Sequence, residues 1–138
     1  LELDRGSPVI AVSDRPASAE LYLAADVLVT DYSSAMFDFA ITGKPMLFFT
    51  YDLEHYRDDL RGFYVDLAEI APGPLLRTSD EIVAAIAGID GVVDDHARSY
   101  TRFRETFCAL EDGHATERVL DLLFPSGDLA GRATQERG

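Results

Sequence analysis

Residues 26–49 read DVLVTDYSSAMFDFAITGKPMLFF, and this stretch decides the fold. Asp26 to Thr30 is a nearly continuous apolar run rich in Val and Leu. It reads as a strand buried on both faces, as strands of parallel sheets are. Asp31-Tyr32-Ser33-Ser34 breaks the run. Ala35 to Thr42 then reads as a helix, with Gly43 as the residue just past its end. Pro45 to Phe49 is a second buried strand. A strand, a short turn, a helix and another apolar strand within so few residues make a βαβ crossover.

The pattern extends in both directions. Upstream, Pro8 to Val12 is short, apolar and β-branched, and predicts a strand. Ser13 to Pro16 is a turn cluster, and Ser18 an N-cap for a helix from Ala19 to Ala24. The first fifty residues therefore predict β-α-β-α-β, an α/β fold with a Rossmann-like, doubly wound parallel sheet. Downstream, residues 51–66 form a loop dense in charged and aromatic groups. Pro72-Gly73-Pro74 turns the chain into a short strand, Leu75-Leu76. Thr78 or Ser79 caps a helix whose Ile82, Ala85 and Ile86 follow the helical period. Extra C-terminal helices are predicted at Asp94–Cys108 and Ala115–Phe124. The tail, 125–138, has one Leu and no aromatic or β-branched aliphatic residue, and reads as disordered. Residues 1–124 read as one domain.

Composition limits the function. A 138-residue chain that is 47% hydrophobic can bury about two-thirds of its unfolded surface, so it needs no disulfide or metal staple. Twenty-five acidic against 12 basic residues leave a net charge of −13, which argues against nonspecific nucleic-acid binding and against a polybasic membrane anchor. No apolar run approaches the ~20 residues that span a bilayer. The single cysteine, Cys108, cannot form an internal disulfide, which fits a reducing compartment. It shares a helical pattern with Phe103 and Phe107 and reads as structural. The chain opens at Leu1 without a Met or a signal segment, and reads as a piece of a longer protein.

The chemistry concentrates where the first long strand ends. Ligands of open parallel sheets bind at the carboxyl ends of strands. There Ser33 and Ser34 stand at a helix start, with backbone N–H groups and hydroxyls to offer an anion, and the helix dipole adds favourable potential. Asp38 is one turn further on, about 6 Å along the axis, and Ser34, Asp38 and Thr42 form a polar line on an otherwise apolar helix. That arrangement suits a phosphate with an attached ribose, whose hydroxyls would donate to a buried Asp38 carboxylate. It equally suits an ordinary serine cap beside a solvated aspartate, and both readings stand. Asp31 either holds its own turn or reaches the ligand.

These segments, in order, carry a resemblance. Asp26 to Ala40, Lys44-Pro-Met-Leu-Phe-Phe, Tyr51-Asp-Leu-Glu, Arg61-Gly-Phe-Tyr, Glu111-Asp-Gly and Glu117-Arg-Val resemble the CDP-glycerol glycerophosphotransferases that build teichoic acids. The resemblance runs from about residue 8 to residue 124. It implies a GT-B type transferase, of which residues 1–124 are part of the C-terminal nucleotide-binding domain. It implies CDP-glycerol as donor, a teichoic acid polymer or lipid-linked acceptor, CMP as leaving group, no cofactor, and work at the inner face of the cell membrane. The catalytic histidines it implies lie outside this chain, in a missing N-terminal domain of the same protein and in the part before Leu1.

Arg57 and Arg61 lie in the loop after the third predicted strand, where they either neutralise phosphate charge or pair with Glu54, Asp58 and Asp59. His55 reads as exposed, and His96 and His114 as structural. No histidine pair has metal-ligand spacing, so no metal is expected. Lys44 reads as a partner for the C-terminal dipole of the helix that Ser34 begins, and Arg118 suggests no chemistry. Two alternative functions remain at this level: a GT-B glycosyltransferase or epimerase using a nucleotide sugar, and a non-catalytic acidic interaction module.

Overall fold

The computed structural model describes residues 8–13, 18–52 and 66–124. In chain order these form α1 (Ser18–Ala24), β1 (Leu28–Thr30), α2 (Ala35–Ala40), β2 (Met46–Phe49), α3 (Leu67–Ile70), β3 (Leu75–Leu76), α4 (Ser79–Ala87), α5 (Ile89–Phe107) and α6 (Ala115–Leu123). The sheet has the order β1-β2-β3 and is parallel throughout, with Val29 opposite Leu47 and Phe48 opposite Leu75.

β2 is central, and its residues show it. Met46, Leu47 and Phe48 are all buried, on alternating faces of the strand. Met46 and Phe48 join Met36, Phe39 and Ala40 of α2, Leu67 of α3 and Phe103 of α5 in one core. The aromatic rings lock it. Phe37 stacks on Phe103 at 5.4 Å, Phe107 meets both, and Tyr22 of α1 sits edge-on to Phe39 at 5.8 Å. The Tyr100 hydroxyl of α5 donates to the Lys44 carbonyl at 2.7 Å, and burial pushes its pKa up to about 12. Because Phe37 meets Phe103 and Phe107 while Ala40 and Lys44 meet Tyr100, α5 runs antiparallel to α2. Its last turns thus arrive beside the start of α2.

Several expectations change. Pro8–Val12 forms no strand, and Ile10 is 80% exposed. β1 is consequently an edge of the described sheet. It is half-buried, with Val29 exposed, where burial on both faces was expected. The helix expected over Ala35–Thr42 stops at Ala40, because tighter bonds from Thr42 N–H to Phe39 and from Gly43 N–H to Ala40 close its last turn. Gly43 follows at φ +75°, a conformation that costs other residues a Cβ clash. Conversely, α5 starts at Ile89, five residues before the expected Asp94. Gly91 has open space around it and lies within the helix, and Val92, His96 and Tyr100 line a cavity of about 150 Å³ with Pro45 and Gly73. Thr78 is the cap of α4. Its hydroxyl accepts from Glu81 N–H while the Glu81 carboxylate accepts from Thr78 N–H. Among the described residues, no helix is long and apolar enough to cross a membrane.

Candidate functional site

The parallel sheet sends all three strands toward one edge, where the turns after Thr30, Phe49 and Leu76 meet. Asp31, Ser33 and Ser34 are exposed there. Ser33 is the working cap of α2: its Oγ accepts from Ala35 N–H at 3.2 Å. Ser34 already has helical angles, φ −62° and ψ −11°, and its side chain caps nothing. Its hydroxyl is therefore open to solvent, and the Ser33 hydroxyl still has a proton to donate. α2 has only six residues, so its dipole is smaller than that of the longer helix expected from the sequence.

Asp38 departs from expectation. It is exposed, not buried, and it lines a crevice of about 330 Å³ between α1 and α2 with Ser18, Tyr22, Leu23, Ile41 and Thr42. The turn serines do not line that crevice. Thr42 shares that crevice with Asp38, but its hydroxyl is engaged by the backbone, donating to the Phe39 carbonyl at 2.7 Å and accepting from Lys44 N–H. Lys44 serves a different helix from the one expected. Its ammonium donates to the carbonyls of Leu23 and Ala25 at 2.7 and 2.6 Å, satisfying the C-terminal end of α1. Arg57, Arg61 and His55, and the tail 125–138, lie outside the described residues.

The sequence reading missed a link between two of its own motifs. Tyr32 donates its hydroxyl proton to Asp52 Oδ1 at 2.9 Å, joining the turn after β1 to the exit of β2. Burial and this bond both push the Tyr32 pKa well above the ordinary phenol value. Beside it, the N–H of the buried Thr50 donates to the Leu76 carbonyl at 2.7 Å and joins β2 to β3. No periodicity marks such bonds, whose partners are 20 and 26 positions apart.

The remaining singled-out residues are structural. Arg118 makes a two-pronged contact with Asp112, 2.7 Å to each oxygen, and also reaches the Leu110 carbonyl. Arg118 and the His114 N–H hold the Asp112 carboxyl below its usual range. The Glu111-Asp-Gly and Glu117-Arg-Val motifs thus clamp the start of α6. His114 Nδ1 lies 2.9 Å from Glu117, and His96 Nδ1 3.1 Å from the Val92 carbonyl. Cys108 packs against the core with its thiol 3.7 Å from the Phe37 carbonyl, and burial raises its pKa. Among the described residues, no group of His, Cys, Asp and Glu is placed to hold a metal ion.

The family model of the CDP-Glycerol:Poly(glycerophosphate) glycerophosphotransferases matches residues 3–125. The chain belongs to this family. It is 42% identical over 113 residues to the teichoic acid glycerol-phosphate transferase of Staphylococcus aureus, covering 82% of this chain and 29% of that protein. It is 48% identical over 105 residues to the teichoic acid poly(glycerol phosphate) polymerase of Bacillus subtilis, covering 76% of this chain and 14% of that protein. A teichoic acid poly(ribitol-phosphate) polymerase of Bacillus spizizenii is 39% identical over 110 residues, covering 77% of this chain and 16% of that protein. The chain therefore spans less than a third of the length of these relatives. Its fold matches the wall teichoic acid polymerase TagF with a TM-score of 0.74 at 36% identity, over 82% of this chain and 28% of that one. A His-to-Asn variant of TagF soaked with CDPG matches equally well. The fold is accordingly the α/β fold of a GT-B type transferase, with its parallel sheet and added C-terminal helices.

Proposed function

We propose that this chain is the donor-binding part of an enzyme that transfers glycerol phosphate from CDP-glycerol to a teichoic-acid-type polymer or lipid-linked acceptor. Residues 1–124 belong, in this reading, to the C-terminal nucleotide-binding domain of a GT-B transferase, and catalysis requires an N-terminal domain as well. An acceptor hydroxyl attacks the phosphorus that carries glycerol. The new P–O bond forms as the bond to the CMP oxygen breaks, CMP leaves with that electron pair, and the acceptor proton passes to a base outside this chain. Ser33 and Ser34 donate to the donor's phosphates, Asp31 orders their turn, and Asp38 accepts from the ribose hydroxyls. Arg57 and Arg61 neutralise phosphate charge as it builds on the leaving group.

The observation that carries this reading is the open Ser34 hydroxyl beside Ser33 at the carboxyl end of β1, in a chain of this family. Glycerol is favoured over ribitol because the glycerol-phosphate enzymes are 48%, 45%, 42% and 36% identical, against 39%, 30%, 30% and 29% for the ribitol-phosphate enzymes. The test is calorimetric titration of the intact enzyme with CDP-glycerol, CDP-ribitol, CMP and a UDP-sugar. Replacing Ser33 and Ser34 together by Ala removes two hydroxyl donors to a charged group, about 1.5–3 kcal/mol each. CDP-glycerol affinity is expected to fall at least tenfold, and an unchanged dissociation constant would refute the assignment.

A further inference from the structure

The three strands are coupled beyond the end of their ladder. The last β1–β2 pair is Thr30 with Phe48, and the last β2–β3 pair is Phe49 with Leu76. Just past Phe49, Thr50 bonds to Leu76 and Asp52 accepts from Tyr32, so the exit of β2 is tied to the chain on both sides. Tyr32 is well suited to anchor it. Tyr32 packs against the buried core, while its neighbours Asp31 and Ser33 stay exposed. Asp52 is half-buried and follows Tyr51, whose ring leans on Phe49 at 5.3 Å.

We propose that Tyr32 and Asp52 are positioning residues for the transfer reaction, whose hydrogen bond holds the 31–34 turn at a fixed place relative to the exit of β2 and so presents Ser33 and Ser34 to the donor. The inference rests on the donor-binding reading above. Exposed residues flank this anchored ring on both sides, and the phenol hydroxyl ties the turn to the neighbouring strand exit. That hydroxyl remains a donor at neutral pH, because burial and the Asp52 carboxylate both disfavour its ionisation. A fixed turn binds more tightly than one that must be ordered by the ligand.

The test uses the intact enzyme and CDP-glycerol, with dissociation constant, KM, kcat and melting temperature measured for each variant. Tyr32→Phe keeps the ring in the core and removes only the hydroxyl. It is expected to raise the donor dissociation constant and KM by about three- to tenfold, with kcat at saturating donor unchanged. Asp52→Ala is expected to do the same, and the double variant to be no worse than either single one. Asp52→Asn, whose amide oxygen still accepts from the phenol, is expected to restore affinity. If Tyr32→Phe and Asp52→Ala leave donor affinity unchanged while Ser33→Ala with Ser34→Ala weakens it, the positioning role is wrong and the donor site stands. If Tyr32→Phe weakens binding and the double serine variant does not, the serine assignment is wrong. Additive effects of Tyr32→Phe and Asp52→Ala, or a lower melting temperature with unchanged affinity, would overturn the proposal.

Discussion

Phe103 ties the longest helix to the helix that begins at the candidate site, so Phe103→Ala is the sharpest test of how that site is held. The ring is 2% exposed, stacked on Phe37 at 5.4 Å with planes 20° apart, and 4.8 Å from Phe107. Phe-to-Ala truncation in a core costs about 3–5 kcal/mol, from lost burial plus the cavity left behind. Phe37 and Phe107 both lose a ring partner when Phe103 is cut back. The upper part of the range is therefore expected, about 4 kcal/mol, a large share of the ~5–15 kcal/mol that a domain has in total. Phe107 is 36% exposed, and its truncation removes less area from a site that solvent can refill. Phe107→Ala should cost about half as much. Urea denaturation of the chain measures both, with Phe103→Leu as a milder variant expected to cost about 1–2 kcal/mol. The reasoning is refuted if Phe103→Ala costs less than Phe107→Ala, or under about 1 kcal/mol.

Gly73 cannot take a side chain. A Cβ there would lie 2.0 Å from the Met46 carbonyl oxygen, a backbone atom that cannot turn aside. Gly73→Ala should displace β3 from β2, lower stability by about 2 kcal/mol or more, and speed amide exchange at Phe48, whose N–H bonds to Pro74. Exchange at Phe48 equal to that of the unaltered chain would contradict this. Stability should also have an acid limb. Backbone N–H groups of Arg77 and Thr78 hold the Glu81 carboxyl low, and Arg118 does so for Asp112. A lowered folded pKa adds stability above the unfolded value of about 4, and that contribution is lost as pH falls through the folded one. The melting-temperature difference between the unaltered chain and Glu81→Gln, or Asp112→Asn, should therefore be larger at neutral pH than near pH ~3. A difference independent of pH would rule out the carboxylates as its source.

Much of the architecture was legible in the sequence because it rests on local signals. Apolar runs marked β1 and β2, the Pro72-Gly73-Pro74 turn marked β3, and Thr78 or Ser79 marked the start of α4, a choice the structure settles on Thr78. The edge that carries Ser33 and Ser34 followed from a strand ending where a helix starts. What the sequence could not decide was which groups meet across the fold. Lys44 has two helix ends within reach, and only packing of α1 beside the turn after α2 assigns it to the carbonyls of Leu23 and Ala25. Asp38 sits on the face of α2 that a polar stripe suggests, yet its exposure depends on how α1 lies beside that face. The helix expected from Asp94 starts at Ile89 and takes in Gly91, and Tyr100 of this helix bonds to the Lys44 carbonyl, a contact that only the folded chain supplies. The Tyr32–Asp52 bond belongs to the same class. Side-chain periodicity records which face a residue occupies, whereas a hydrogen bond between neighbouring strand ends depends on sheet order and register, and those exist only once the strands have paired.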